Sequence, residues 1–168
     1  KVENQTVSEG LIARFTVKIT NGKPKPAIKW FLEDVEIIMD EFHEIEEVED
    51  TITFIIKVVK QLDAGNYSAQ AINVAGTVNT NKALLTVNRA PVFITAPEQP
   101  DAINKDESIR FDCEVDGNPK PTVKFLINGK ELTVKDGVTI EKDVANNKYS
   151  LIIQKANPVT HSGLITIR

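Results

Sequence analysis

The sequence predicts an all-β chain built from two copies of one small β-sandwich. Two stretches repeat the same features in the same order: an alternating apolar strand, a Gly-x-Pro-x-Pro corner, and a second strand that carries an aromatic residue. These stretches cover residues 15–30 and 111–125, and a repeat of this length indicates a whole duplicated module. No segment sustains a helical period, whereas short alternating runs separated by turn residues are typical of a sandwich.

The first copy contains five rows of apolar residues that occupy alternate positions. Since every second side chain of a strand points to the same face, we assign these rows to the inward faces of five strands. The rows are Ala13, Phe15, Val17 and Ile19; Ile28 and Trp30; Ile52, Phe54 and Ile56; Tyr67, Ala69 and Ala71; Leu85 and Val87.

The segment from Val35 to Val48 is the strongest candidate for a helix, but it lacks a cap and contains β-branched residues. Such residues favour strands over helices. We therefore predict a short strand, an acidic loop and another short strand.

The second copy repeats this order with four rows. They are Ile109, Phe111, Cys113 and Val115; Val123 and Phe125; Tyr149, Leu151 and Ile153; Ile165 and Ile167. We place the first domain at residues 1–88, with an incomplete leading strand, and the second at residues 91–168, without its final strand. Residues 89–90 form a short linker with no Gly or Ser, which we expect to be semi-rigid.

These residues make the chain resemble a tandem of immunoglobulin domains of the intermediate (I) set. Trp30 stands where the family has its buried core tryptophan, and the run Leu62–Ala69 resembles the family pattern Leu-x-Asp-x-Gly-x-Tyr-x-Cys. The resemblance implies that Tyr67 forms the tyrosine corner by bonding to upstream backbone. It also implies that Gly65 supplies the turn before that strand.

The chain departs from the family at the positions of the intersheet disulfide. These positions hold Val17 and Ala69 in the first copy, and Cys113 and Ile167 in the second. Neither copy can close the bridge, so both cores must be held by packing alone. The absence of a cysteine pair favours a reducing compartment.

The second copy is less regular, because Phe125 replaces the tryptophan and Ile165 replaces the tyrosine of the corner. Only three residues follow Ile165, so we expect the last strand of its sheet to be missing. A sandwich without that strand would expose an apolar edge, and we therefore interpret the chain as a piece of a longer array.

No pattern in the sequence indicates an enzyme, a cofactor or a metal site. His43 and His161 have no converging ligands. Cys113 occupies an inward strand position, which indicates a small buried apolar residue rather than a nucleophile. No run of 18 apolar residues exists to span a membrane. We expect no nucleic acid partner, because the net charge is -4.

The charged residues are unevenly distributed. Residues 33–50 hold ten carboxylates and no Lys or Arg, a pattern that repels nucleic acid and attracts basic partners. Within this run we select Glu41, Glu44, Glu46 and Glu47 as the candidate partner face. One interpretation is a solubilising surface, and the other is an electrostatic contact with a basic filament such as a myosin rod.

Disulfide-free tandems of this kind resemble those of giant muscle proteins of the titin and twitchin type. The resemblance implies a non-enzymatic, cytoplasmic module of the sarcomere or myofibril that bears load and decorates or links myosin thick filaments. It also implies neighbouring immunoglobulin domains of the same chain as partners. Two alternatives stay open: an extracellular adhesion or receptor tandem, suggested by the sequons at Asn4 and Asn66, and a regulatory region that flanks a kinase.

Overall fold

The computed structural model describes residues 1–98, 103–135 and 137–168. These residues form two compact units, Lys1–Arg89 and Ala90–Arg168. Apart from a 3₁₀ turn at Gln61–Asp63, their regular elements are β-strands, which confirms the predicted all-β class. No described helix is long and apolar enough to cross a membrane.

The first unit contains eight strands and the beginning of a ninth. They are β1 (Gln5–Ser8), β2 (Ala13–Lys18), β3 (Ala27–Leu32), β4 (Val35–Glu36), β5 (His43–Val48), β6 (Thr51–Ile56), β7 (Gly65–Asn73), β8 (Gly76–Asn79) and β9 (Ala83–Thr95). The predicted strand, loop and strand between Val35 and Val48 are thus confirmed as β4, residues 37–42 and β5.

These strands form two sheets. One sheet has the antiparallel order β2-β6-β5, with Phe15 opposite Phe54 and Phe54 opposite Ile45. In the other sheet β3 lies between β4 and β7, and β7 also pairs with β8 and β9. The first strand, β1, pairs with β9 in parallel, from Gln5 opposite Leu85 to Ser8 opposite Asn88.

The core of the first unit lies between these two sheets and contains the predicted inward rows. Phe15 stacks on Tyr67 with ring centroids 4.5 Å apart, and Trp30 stacks on Phe54 at 5.4 Å. Because each pair joins one residue from each sheet, the aromatic rings bridge the sandwich. Ile19 and Ile28 are only partly buried at its margin.

The second unit contains β10 (Ile109–Asn118), β11 (Phe125–Ile127), β12 (Lys130–Glu131), β13 (Val138–Asp143), β14 (Lys148–Ile153) and β15 (Ile165–Ile167). Its sheets have the orders β13-β14-β10 and β12-β11-β15. Buried residues from both sheets, among them Phe111, Phe125 and Leu151, form one core. Within the described residues β15 ends its sheet, whereas its counterpart β7 has β9 beside it.

The residues predicted as a linker, 89–90, lie inside β9. The predicted last strand of the first copy ends at Val87, whereas β9 continues to Thr95. Pro91 provides a physical reason, because a proline restricts the preceding residue to extended conformations. No glycine interrupts this part of the chain.

Candidate functional site

The residues selected for the core of the first unit lie together at its centre. Val17 is 7% exposed, Ala69 2% and Trp30 3%, so the two disulfide positions of the family are filled by small apolar side chains. Trp30 Nε1 is buried without a hydrogen-bond partner. Its ring is held by its contacts with Phe15 and Phe54.

Tyr67 has the geometry that the tyrosine corner requires. Its ring is 1% exposed, and its hydroxyl donates a hydrogen bond of 2.8 Å to the carbonyl oxygen of Asp63. Burial, followed by the nearby charge of Asp63, raises the pKa of the phenol well above its ordinary value. The hydroxyl therefore stays protonated and remains a donor to the loop before β7.

Gly65 lies against the turn that joins β3 to β4. Its φ is +153°, and a Cβ there would stand 2.7 Å from Leu32 Cδ1 and 2.8 Å from Glu33 Oε1. The same Glu33 oxygen accepts hydrogen bonds from Asn66 N at 2.7 Å and Asn66 Nδ2 at 3.1 Å. Glu33 N donates in turn to Asn66 O at 3.0 Å, so this turn clamps the start of β7.

The second unit has the same clamp with different residues. Asn128 Oδ1 accepts a bond of 3.1 Å from Leu164 N, and Asn128 N donates to Leu164 O at 3.0 Å. Gly163 occupies the place of Gly65, since a Cβ there would meet the Asn128 side chain. The alternating apolar pattern of the sequence does not predict this clamp.

Cys113 and Phe125 are both buried in the second unit. Burial, followed by the charge of Asp112, raises the pKa of the Cys113 thiol. A protonated, buried thiol is a poor nucleophile. Among the described residues, no group of three or more His, Cys, Asp or Glu is placed to hold a metal ion.

The four selected carboxylates do not form a single face. Glu44 and Glu46 lie opposite Ile55 and Thr53 and point outward, whereas Glu47 lies opposite the buried Ile52 on the other side of the strand. Glu41 precedes β5 in the exposed loop. Of the four candidate residues, Glu44 and Glu46 therefore share one side of β5, and Glu47 lies on the other.

Several carboxylates of the acidic segment already contact lysines. These contacts join Glu47 to Lys25, Glu36 to Lys29 at 2.8 Å, Glu44 to Lys57 at 3.3 Å and Asp34 to Lys82 at 2.6 Å. Lys25 and Lys29, which lie just before and within β3, thus contact the acidic segment. Exposed ion pairs of this kind contribute only about 0–1 kcal/mol each.

His43 lies at the start of β5 and is held from two sides. Its Nδ1 lies 2.8 Å from Asp40 Oδ1, and its ring stacks on Phe54 at 5.4 Å. A hydrogen bond from the backbone N–H of Phe42, followed by the charge of His43, lowers the pKa of Asp40. This arrangement orders the turn that leads into β5.

In the second unit, the outer face of the sheet β13-β14-β10 carries an ion-pair network. Arg110 contacts Asp112 at 2.8 Å and Glu141 at 2.9 Å, and its Nη2 donates a hydrogen bond of 2.7 Å to Ser150 Oγ. A hydrogen bond from Ser150, with help from Arg110, lowers the pKa of Asp112. The carboxylates of this face are thus balanced by a cation at its centre.

Comparison with known proteins agrees with this architecture. The model of the immunoglobulin I-set domain matches residues 1–87 and 91–164. The muscle M-line assembly protein unc-89 of Caenorhabditis elegans is 33% identical over 145 residues, which cover 81% of this chain and 2% of that protein. Mouse myotilin is 29% identical over 161 residues, which cover 92% of this chain and 32% of that protein.

Among solved structures, the I-band fragment I67-I69 of titin superposes with a TM-score of 0.75 at 26% sequence identity. The match covers 99% of this chain and 57% of the fragment. This chain therefore spans only part of each of these relatives. The duplicated sandwich, its packed core and the two matched segments show that the chain belongs to the immunoglobulin I-set domain family.

Proposed function

We propose that this chain is a non-enzymatic structural module of a giant sarcomeric protein, in which it bears load and contacts thick filaments. The observation that carries the proposal is the parallel pairing of β1 with β9 at the two ends of the first unit. The likeness to a muscle M-line assembly protein and to titin fragments supports a place in the myofibril. The partners would be sarcomeric proteins and neighbouring immunoglobulin domains.

The parallel pair is arranged to resist force along the chain. Tension enters β1 from Lys1 and leaves the unit after Asn88, at the opposite end of the paired region. The two strands are therefore pulled past each other, and their hydrogen bonds must break together rather than one at a time. A further bond, from Glu9 N to Asn88 O at 2.7 Å, extends the pair.

Single-molecule force spectroscopy on the whole chain tests this role. Glu9 donates to β9, so Val7, two residues earlier, directs its N–H to the same side, whereas that of Thr6 points away. Val7→Pro removes a donor from the pair and should lower the unfolding force of one unit. Thr6→Pro restricts the same backbone without removing that donor, and its smaller effect is the control. Equal unfolding forces for wild type and Val7→Pro would contradict the load-bearing role.

The proposed filament contact depends on Glu41, Glu44 and Glu46, which are exposed on one edge of the first unit. Because each exposed pair is weak, several must act together and the contact must weaken with salt. Cosedimentation with myosin filaments should fall when all three are changed to Gln. Unchanged cosedimentation would contradict a thick-filament role and leave the load-bearing role untouched.

The sequon at Asn66 counts against the extracellular alternative. Asn66 Nδ2, the atom that a glycan would occupy, donates to the carboxylate of Glu33. Glycosylation would remove part of the clamp at the start of β7. Secretion from a eukaryotic host, followed by glycan mapping, checks this: an unmodified or misfolded product is expected. A well-folded product glycosylated at Asn66 would favour the adhesion or receptor alternative.

A further inference from the structure

One side of the first unit carries two strand edges and the acidic segment between them. The strand β5 ends the sheet β2-β6-β5, and β4 pairs only with β3 within the described residues. We call residues 34–48, which include both strands and their connection, the β4–β5 edge. No described strand covers it.

Backbone groups of β5 point away from its sheet at alternate residues. Lys57 N donates to Phe42 O at 2.9 Å, so Phe42 belongs to a hydrogen-bonded pair of the β5–β6 ladder. In an antiparallel ladder such pairs alternate with pairs whose N–H and C=O groups face outward. Ile45 and Glu47 therefore present their backbone groups to the outside of the sheet.

The same edge exposes large apolar side chains. Val35 is 70% exposed, Ile38 85%, Met39 44% and Ile45 42%. Isolated exposed apolar residues are ordinary. Here these four, together with Phe42 at 37% and Val48 at 58%, fall within residues 35–48, which contain both edge strands. This combination is suited to an additional strand.

Charge selects the kind of strand that fits. Residues 33–50 contain ten carboxylates, and the four lysines that contact them leave six in excess. A second copy of this edge would place like charges opposite each other, which is unfavourable. The equivalent segment of the second unit, residues 128–147, holds three lysines and four carboxylates, so the imbalance belongs to the first unit alone.

We propose that the β4–β5 edge docks an extended segment of a partner protein in which basic residues alternate with apolar ones. The segment pairs with the outward backbone groups of Ile45 and Glu47. Its basic side chains lie beside Glu44 and Glu46, and its apolar side chains lie on the side of Ile45. This mode of strand addition takes affinity from main-chain bonds and specificity from alternate side chains. This inference rests on the proposed function in one respect, which is that the partner is a protein.

A peptide of alternating Lys and Val residues is the probe, and a peptide of the same composition with its lysines grouped together is the control. Binding of each to the full chain is measured by fluorescence anisotropy. Amide hydrogen exchange at Ile45 and Glu47 is followed by NMR. The alternating peptide should bind at least tenfold more tightly than the grouped one and should slow exchange at both amides.

Paired charge variants locate the site. Glu44→Gln with Glu46→Gln should weaken binding of the alternating peptide at least tenfold, whereas Glu3→Gln with Glu9→Gln makes the same change in net charge elsewhere and should leave it unchanged. Trp30 fluorescence verifies that each variant is folded. Equal affinity for both peptides, or unprotected amides at Ile45 and Glu47, would overturn strand addition. Neither result bears on the unfolding force, which tests the load-bearing role separately.

Discussion

Replacing Gly65 by alanine should destabilise the first unit more than the same replacement at Gly76. The two glycines form a matched pair, because both have φ +153°. They differ in their surroundings: a Cβ at Gly76 would meet no atom within 4 Å, whereas at Gly65 it would meet Leu32 Cδ1 and Glu33 Oε1 below 3.0 Å. The comparison therefore separates backbone strain from the contact with the β3–β4 turn.

The expected magnitudes follow from these two contributions. A non-glycine residue in this sparsely populated region costs about 1–3 kcal/mol, and both variants carry that cost. At Gly65 the Glu33 carboxylate must also move, which weakens its 2.7 Å bond from Asn66 N. A hydrogen bond to a charged group contributes about 1.5–3 kcal/mol, and its exposure places it at the lower end. Gly65→Ala should thus cost up to about 1.5 kcal/mol more than Gly76→Ala through the weakened bond, in addition to any cost of moving the Leu32 side chain.

Denaturant unfolding followed by tryptophan fluorescence measures this difference. Trp30 is the only tryptophan of the chain, so its emission reports the first unit without interference from the second. In a Glu33→Ala background the extra cost at Gly65 should shrink, because the displaced carboxylate is already absent. Equal losses of stability in Gly65→Ala and Gly76→Ala would refute the close packing of the turn on β7.

Three further predictions concern single side chains. Tyr67→Phe should lower the free energy of unfolding by about 0.5–1.5 kcal/mol, the net value of one hydrogen bond, as measured by the same fluorescence transition; no change would mean that the corner bond does not stabilise the unit. Because the folded pKa of Asp40 is lowered, its contribution is present above the unfolded pKa of about 3.9 and is lost as pH falls through the lower folded value. The difference in unfolding midpoint between wild type and Asp40→Asn should therefore shrink as pH falls below about 4; a difference that persists unchanged at pH 2 would contradict this. Cys113, buried and with a raised pKa, should react with iodoacetamide only after the second unit unfolds, and rapid labelling of the native chain would contradict its burial.

The alternation of apolar residues indicates the aromatic centre of the first core, but it does not indicate Val2 and Val59, which are buried outside the alternating rows. Phe15, Phe54 and Tyr67 were assigned inward from spacing alone, and all three are buried in one cluster. Alternation could also have divided the acidic segment, because Glu46 and Glu47 are adjacent and must face opposite sides of a strand. The run of charge by itself does not show that Glu46 and Glu47 face opposite sides. The register of β5 on β6 shows it.

The clamp on β7 was harder to predict because its two versions share a conformation and not a sequence. Asn128 and Gly129 form a turn with φ of 49° and 79°, and an Asn-Gly pair is favoured there. In the first unit Glu33 and Asp34 have the same positive φ, 47° and 68°. A Glu-Asp pair in a sequence gives little indication of such a turn. Alignment of the two copies was the available clue, since both turns begin three residues after the aromatic residue of the strand, Trp30 in the first copy and Phe125 in the second.

Comparison of the two units shows where their properties diverge. The β3–β4 turn of the first unit keeps two acidic residues in a conformation that disfavours side chains, although the second unit shows that Asn-Gly serves the same clamp. The cost in the first unit is partly offset by the bonds of Glu33 to Asn66 and of Asp34 to Lys82. These carboxylates also begin the acidic segment, which in the second unit has no equivalent excess of charge. The excess of carboxylates on the β4–β5 edge therefore distinguishes the first unit from the second, in addition to the differences in their cores.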